Sequence, residues 1–184
     1  MNTGVIASRY AKALLSYVTE AGAGEKVYSQ ACALVHIMKT LPQLKEYVLR
    51  HDDIALERKS DLLSSALGEP LAEQLVSFMK LVEEHRRMEF LDIMLWSFIS
   101  RYREANHIKV GTLVTASPEE ELQQRLERIF SARTSCDVHF QTEVDPELIG
   151  GFVLELDGYR MDASVRTRME QIRRILIDDS NRNV

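Results

Sequence analysis

The sequence predicts an α+β fold, with an N-terminal six-helix bundle followed by a small C-terminal α+β domain. Up to Asn106, apolar side chains recur at helical spacing between breaks made by glycine and proline. Beyond Asn106 the spacing changes to the alternation that is typical of strands, with two further helical segments. We therefore place the domain boundary at this residue, giving domains at residues 1–106 and 107–184.

Turn-forming residues separate the six helices of the first domain. Gly22 and Gly24 follow the first helix, Pro42 stands at the start of the third, and Gly68 and Pro70 separate the fourth from the fifth. The predicted helices span residues 3–21, 25–40, 42–50, 52–67, 70–84 and 88–106, and Asp52 or Asp53 is expected to cap the fourth.

The second domain begins with a strand pattern at residues 108–114 and continues with a helix. Ser117-Pro118-Glu119-Glu120 predicts the helix start, because serine caps, proline fits the first helical position and Glu120 closes a capping box. This helix is expected to run to Ala132. A strand with one solvent-exposed face follows at residues 138–144.

A hairpin and a final helix complete the second domain. Strands are predicted at residues 152–156 and 159–162, joined by Asp157-Gly158, which indicates a type I′ turn. The last helix is expected at residues 164–177. Its apolar residues recur at helical spacing and are predicted to be buried. They are Val165, Met169, Ile172 and Leu176.

Composition and charge limit the classes of function. The chain has 184 residues, 45% of them hydrophobic, and a net charge of −5, as in an ordinary globular protein without a general attraction to nucleic acid. The segment from Arg160 to Arg174 is an exception. It contains five Arg but only two acidic residues, Asp162 and Glu170, which gives a local charge of +3. It is either a contact surface for an acidic partner or a solvated helix face.

The sequence lacks the motifs of catalytic and metal-binding sites. Its five histidines do not recur with other ligands at metal-binding spacing, and Cys32 and Cys136 are far apart, which favours free thiols. We therefore expect no catalytic residue, no cofactor and no metal. No apolar run approaches the roughly 20 residues that span a bilayer. We expect a soluble protein that meets a membrane only through partners.

The first and fifth helices carry more apolar surface than one buried face requires. Such a helix either lies in the centre of its own bundle or shares a groove with a helix of another protein. On helix 1 these residues are Ile6, Ala7, Tyr10, Ala11, Ala13, Leu14, Leu15, Tyr17 and Val18, and on helix 5 they are Leu71, Leu75, Val76, Phe78, Met79, Leu81 and Val82.

Two segments resemble those of a known family. Ser8-Arg9-Tyr10-Ala11-Lys12-Ala13-Leu14 is similar to the "RYAKAL" opening of ATP synthase delta subunits and of the oligomycin-sensitivity-conferring protein. Asp145-Pro146-Glu147-Leu148-Ile149-Gly150-Gly151 and Asp162-Ala163-Ser164-Val165-Arg166-Thr167-Arg168-Met169 resemble the "D-x-x-L-I-G-G" and "D-G-S-V-R-x-x-L" segments. Ala163, Thr167 and Met169 depart from the second motif, so the backbone at Ala163 is not expected to need a positive φ.

The resemblance implies a non-catalytic stator subunit with two binding surfaces. In the family, the N-terminal domain binds the N-terminal helix of an alpha subunit between helices 1 and 5, and the C-terminal domain contacts the peripheral-stalk b subunits. The groove would comprise Tyr10, Ala13, Leu14, Tyr17, Phe78, Leu81, Val82 and His85. The C-terminal motif residues, which serve binding or folding, are Gly150, Gly151, Asp162, Ser164, Val165, Arg166 and Arg168.

The same resemblance gives a location and a mutational expectation. The subunit would lie peripherally at the cytoplasmic face of the bacterial inner membrane, with neither cofactor nor nucleic acid as a partner. Tyr10→Asp or Phe78→Asp would detach the catalytic head and leave the domain folded. The alternative function is a helical nucleic-acid-binding regulator that uses the Arg-rich C-terminal helix, although the acidic total charge argues against it.

Overall fold

The computed structural model describes residues 3–50 and 54–182, with side chains through residue 174. Within this part of the chain lie eight α-helices and one four-stranded sheet, so the predicted α+β class is confirmed. The chain divides into two compact units, Met1–Ala105 and Asn106–Val184, each with its own hydrophobic core.

Helices build the first unit. They are α1 (Thr3–Glu20), α2 (Gly24–Thr40), α3 (Pro42–Arg50), α4 (Leu56–Leu67), α5 (Glu73–Glu84) and α6 (Leu91–Ala105), with a 3-10 turn at Met88–Phe90 before α6. The apolar face of α6 packs against α1 and α2 and is almost completely buried. A fully buried leucine or phenylalanine of this face contributes about 1.5–3 kcal/mol.

The fourth, fifth and sixth helices start later than predicted, and the sixth begins at Leu91 because residues 88–90 form the 3-10 turn. The fourth helix begins at Leu56 after Ala55, and the predicted caps Asp52 and Asp53 lie outside the described residues. The fifth begins at Glu73 rather than Pro70. The physical reason for the second difference is tertiary: residues 68–72 form a loop that is hydrogen-bonded to a side chain of α2, so they do not join the helix.

The second unit is a mixed sheet with the strand order β2-β1-β3-β4. Its strands are β1 (Ile108–Thr115), β2 (Asp137–Val144), β3 (Phe152–Leu156) and β4 (Tyr159–Asp162). β1 pairs in parallel with β2 and antiparallel with β3, and β3 pairs antiparallel with β4. Asp157 and Gly158 have φ of 52° and 78°, which confirms the type I′ turn.

The helix between β1 and β2, α7 (Glu120–Thr134), begins later than predicted. Glu119 precedes it without a side-chain cap, so the capping box at Ser117 is wrong. The carbonyl of Ser117 instead accepts a hydrogen bond of 2.7 Å from the Thr115 hydroxyl, which holds this segment at the end of β1. α7 covers one face of the sheet, where Leu126 packs among the apolar residues of β1, β2 and β3.

The last helix, α8 (Val165–Arg182), does not bury its apolar stripe as predicted. Val165, Met169 and Ile172 are 39%, 58% and 57% exposed, and the side chain of Leu176 lies outside the described residues. Helical spacing places these side chains on one face of α8. The periodicity was therefore read correctly, but burial was the wrong conclusion, because no described element of the chain covers that face.

Candidate partner-binding surfaces

The eight residues predicted to line the groove between α1 and α5 divide into two groups of four. Tyr10, Leu14, Phe78 and Val82 are at most 8% exposed and belong to the core of the helical unit. They pack in this core and hold α1 and α5 in the bundle. This burial speaks against the expectation that Tyr10→Asp or Phe78→Asp leaves the domain folded, because either change places a carboxylate in the apolar core of the helical unit.

The other four residues remain accessible at the surface of the same two helices. Ala13 and His85 are exposed, and the large apolar side chains of Tyr17 and Leu81 are 44% and 40% exposed. Residues three to four positions apart share a helix face. Ala13 and Tyr17 thus follow Tyr10 along α1, and Leu81 follows Phe78 along α5, so that buried and exposed apolar residues are adjacent.

Aromatic and polar contacts at Tyr10 join the two helices. Its ring meets the rings of Phe78 and His85 edge to face, with centroid separations of 6.3 and 6.2 Å. Arg87 donates a 3.1 Å hydrogen bond to the Tyr10 hydroxyl, and its guanidinium lies 5.6 Å from the ring centroid. Nδ1 of His85 lies 2.8 Å from the carbonyl oxygen of Leu81. These contacts fix the side chains at one end of the surface.

Buried polar residues set the position of α5. Gln30 of α2, only 1% exposed, accepts a 2.8 Å hydrogen bond from the backbone N–H of Ala72 and donates to Glu69 and Pro70. Near the other end, the fully buried Lys59 of α4 lies 3.2 Å from a carboxylate oxygen of Glu83. The loop that leads into α5 and the last turn of α5 are therefore each connected to a neighbouring helix.

In the C-terminal motif, the glycines have a folding role. Gly151 has φ of +73°, and a Cβ at this position would lie 2.3 Å from the carbonyl oxygen of Ala163. A Cβ on Gly150 would approach Val165 to 3.2 Å, and the N–H of Val165 donates to the Gly150 carbonyl at 2.9 Å. At Gly151 only glycine fits against the backbone before α8, whereas at Gly150 the Val165 side chain would have to shift by a few tenths of an ångström. Ala163 does not have a positive φ, as expected.

Asp162 and Ser164 form the N-terminal cap of α8. The Ser164 hydroxyl accepts from the Thr167 N–H at 3.2 Å, while the carboxylate of Asp162 accepts from the Ser164 N–H and the Thr167 hydroxyl, each at 2.9 Å. These hydrogen bonds to the charged form, led by that from the Ser164 N–H, hold the pKa of Asp162 below its ordinary value. Both residues are thus accounted for by folding.

The remaining motif residues face outward. Val165 is exposed at the first turn of α8, Arg168 is exposed one turn further, and Arg166 lies 3.6 Å from Glu147. They begin a surface in which the apolar stripe of α8 is bordered by arginines.

Sequence reasoning missed two exposed apolar sites. Ile149 is 68% exposed and has a positive φ, and on α6 Trp96 and Ile93 are 56% and 42% exposed. The position of Ile149 between a turn-forming proline and two glycines was an available signal for an unusual backbone. For α6, the spacing of apolar residues indicated a helix with a wide apolar face, but it did not indicate which of those residues are exposed to solvent.

Among the described side chains, in residues 3–50 and 54–174, no three or more His, Cys, Asp or Glu are grouped so that they would bind a metal ion. No helix of that part of the chain combines the length and apolarity needed to cross a membrane.

Comparison with known proteins identifies the family. The sequence model of the ATP synthase delta (OSCP) subunit matches residues 6–176. The chain is 37% identical over 186 residues to ATP synthase subunit delta of Phocaeicola vulgatus and 34% identical over 187 residues to that of Bacteroides fragilis, with each pair covered over its whole length. Its fold resembles a chain in the cryo-EM structure of the Toxoplasma gondii mitochondrial ATP synthase hexamer, with a TM-score of 0.62, 20% identity, and coverage of 93% of this chain and 97% of that one. This chain belongs to the ATP synthase delta (OSCP) subunit family.

Proposed function

We propose that this chain is the non-catalytic stator subunit that connects the catalytic head of a rotary ATP synthase to its peripheral stalk. The observation that carries the proposal is the match to the delta subunit family over residues 6–176, which includes both compact units. The exposed apolar residues of each unit support it, because a permanent connector needs one binding surface for each of the two parts it joins.

For the first unit, we propose that the N-terminal helix of an alpha subunit binds along α1 and α5. Tyr17 and Leu81 would provide large apolar contacts, and Ala13 would leave room for the approach of a helix backbone. Tyr10 and Phe78 would support the surface from below. A surface of this kind can bind an amphipathic helix, which lays its apolar face into the groove.

Strong binding along this surface would rest on few side chains. Stable protein interfaces bury about 1,600 Å² in total, and a small number of central residues account for most of the affinity. Tyrosine is enriched among such residues, since it combines apolar area with a polar tip. Tyr17, which is 44% exposed, is the tyrosine of this surface that remains available.

For the second unit, we propose that α8 contacts the peripheral-stalk b subunits. Val165, Met169 and Ile172 form an apolar stripe on this helix, and Arg166 and Arg168 stand beside it. Gly150, Gly151, Asp162 and Ser164 would act indirectly, because they position the first turn of α8. The subunit would meet the membrane only through these partners, at the cytoplasmic face of the bacterial inner membrane.

The proposed mechanism is mechanical rather than chemical. Ion flow turns the rotor, and the rotor applies torque to the catalytic head. Unless the head is connected to a fixed stalk, it turns with the rotor and ATP is not made. The connector therefore needs slow dissociation at both surfaces, which depends mainly on buried apolar anchors.

The test of the first surface uses the full chain and a peptide that copies the alpha subunit's N-terminus. Tyr17→Asp and Leu81→Asp should each lower the affinity about tenfold or more and leave the helical content unchanged, since both side chains are exposed. Ile93→Asp is the matched control, because Ile93 is 42% exposed but lies on α6. Equal affinities of all three variants and the wild type would rule out the surface along α1 and α5.

The nucleic-acid-binding alternative is not favoured. The chain carries a net charge of −5, and Glu170 and the exposed Val165, Met169 and Ile172 interrupt the arginines of α8 along residues 165–174. Titration of the full chain with duplex DNA over a salt series tests this directly. Binding that weakens steeply with salt would revive the alternative.

A further inference from the structure

Ile149 has a backbone conformation that an isoleucine rarely adopts. It ends the 3-10 turn Pro146–Leu148 with φ of 65° and ψ of −36°, and its N–H donates to the Pro146 carbonyl at 3.2 Å. A positive φ is disfavoured for L-residues and most of all for β-branched ones. Glycine would adopt this conformation without strain, and it occupies the next two positions, yet the chain has isoleucine here.

Ile149 is largely exposed within its own unit, so the unusual backbone places little apolar area in the core. The side chain of Ile149 is 68% exposed, whereas that of the preceding Leu148 is 1% exposed. Leu148 therefore supplies the buried apolar contact of this turn, and Ile149 extends into solvent. Residues held in unfavourable backbone conformations are concentrated at functional sites, where the conformation presents a side chain to a partner.

Ile149 adjoins the exposed stripe of α8. The neighbouring Gly150 accepts a 2.9 Å hydrogen bond from the N–H of Val165, the first residue of that helix. From Val165 the stripe continues through Met169 and Ile172 at intervals of four and three residues. Ile149 thus adds a fourth exposed apolar residue at the start of this stripe.

The charges beside the stripe indicate the chemistry of its partner. Arg168 and Arg173 are exposed on α8 and flank the stripe on its two sides, whereas Arg174 and Glu170 lie further round the helix. The segment from Arg160 to Arg174 carries a local charge of +3 in a chain with a net charge of −5. A partner with carboxylates beside an apolar stripe would match both features, whereas a second copy of this basic segment would be repelled.

We propose that Ile149 and the α8 stripe form one docking surface for a helix whose apolar stripe is bordered by acidic residues. Ile149 is the anchor at the N-terminal end of this surface, and the unusual backbone of the turn holds it outward. The proposal rests on the proposed function, in which that helix belongs to the peripheral-stalk b subunit.

The experiment measures affinity and stability together for the full chain. Ile149→Gly removes the side chain and the strain, while Ile149→Ala removes the side chain and keeps the strain. Both variants should bind the purified soluble part of the b subunit about tenfold more weakly, as expected for loss of a buried anchor. The glycine variant should nevertheless unfold at a temperature at least equal to that of the wild type. Ile129→Ala, a change at a 40% exposed isoleucine of α7, is the control that should bind normally.

The possible outcomes separate the role of Ile149 from the stator function. Unchanged affinity of Ile149→Gly, or a lower unfolding temperature of that variant, overturns the role of Ile149 and leaves the stator function standing. Absence of binding by the wild type overturns both. Arg168→Glu and Arg173→Glu should weaken binding most at low salt. An equal loss at all salt concentrations, or self-association of the wild type that depends on the same residues, contradicts an acidic partner.

Discussion

The buried ion pair between α4 and α5 leads to an asymmetric prediction. The side chain of Lys59 is 0% exposed, whereas that of Glu83, its partner at 3.2 Å, is 32% exposed. Removal of either residue breaks the same contact but leaves different groups behind. Glu83→Ala leaves a buried ammonium group without its partner. Lys59→Met leaves a carboxylate that water already reaches, and methionine fills the space of the aliphatic stem.

The magnitude follows from these exposures. An uncompensated buried charge costs about 3–5 kcal/mol. Because water partly reaches this site, Glu83→Ala should lower the free energy of unfolding by about 3 kcal/mol, the lower end of that range. Lys59→Met should change the free energy of unfolding by less than about 1 kcal/mol, because a well-packed apolar residue can replace a buried charge at little cost. The double variant should resemble Lys59→Met, since the ammonium group is then absent.

The assay is urea unfolding followed by tryptophan fluorescence. Trp96 is the single tryptophan of the chain and lies on α6, so the signal reports the helical unit even when the two units unfold separately. With an m-value of about 1–3 kcal/mol per molar urea, the midpoint for Glu83→Ala should fall by about 1–3 M. Equal losses for Glu83→Ala and Lys59→Met would refute the reasoning, because they would show that the exposure of the partner does not matter.

Three further predictions concern folding contacts. Gly151→Ala should destabilise the C-terminal unit by about 2 kcal/mol or more in thermal unfolding, because the added Cβ would meet a carbonyl oxygen. Gly158→Ala is the control and should cost about 1 kcal/mol, because Gly158 has a positive φ but open space around it. Gln30→Leu should cost about 1–3 kcal/mol in urea and expose the loop before α5 to hydrogen exchange, since a buried backbone N–H loses its acceptor; unchanged exchange in that loop would contradict this role. The lowered pKa of Asp162 stabilises the fold above the ordinary carboxyl pKa of about 3.9, and this contribution is lost as the pH falls through the lower folded-state pKa. Asp162→Asn should therefore be less stable than the wild type at pH 7 and equally stable in strong acid, and a difference in urea midpoint that persists there would argue against the carboxylate.

Local chemistry explains why some elements were predicted and others were not. The helix over Pro42–Arg50 and the turn at Asp157-Gly158 were predicted at their observed positions, because proline and an Asp-Gly pair fix the backbone of their own residues. The capping box at Ser117 failed, since the hydroxyl of Thr115 engages the Ser117 carbonyl instead. The hydrogen bond from Thr115 depends on the position of β1 in the sheet. The four residues Ser117-Pro118-Glu119-Glu120 therefore do not reveal it by themselves.

The sequence by itself determined the α+β class, the change from helical to strand periodicity near residue 106, and the motifs that indicate the family. These features depend on spacing along the chain and on backbone preferences that each residue carries with it. The tertiary structure alone decided which apolar residues are buried in the core and which are left exposed. Tyr10 and Tyr17 lie on the same face of α1, yet one is 8% and the other 44% exposed. Likewise, the stripe of α8 has the period of a buried face but lies uncovered, because periodicity gives the direction of a side chain and only packing determines what it meets.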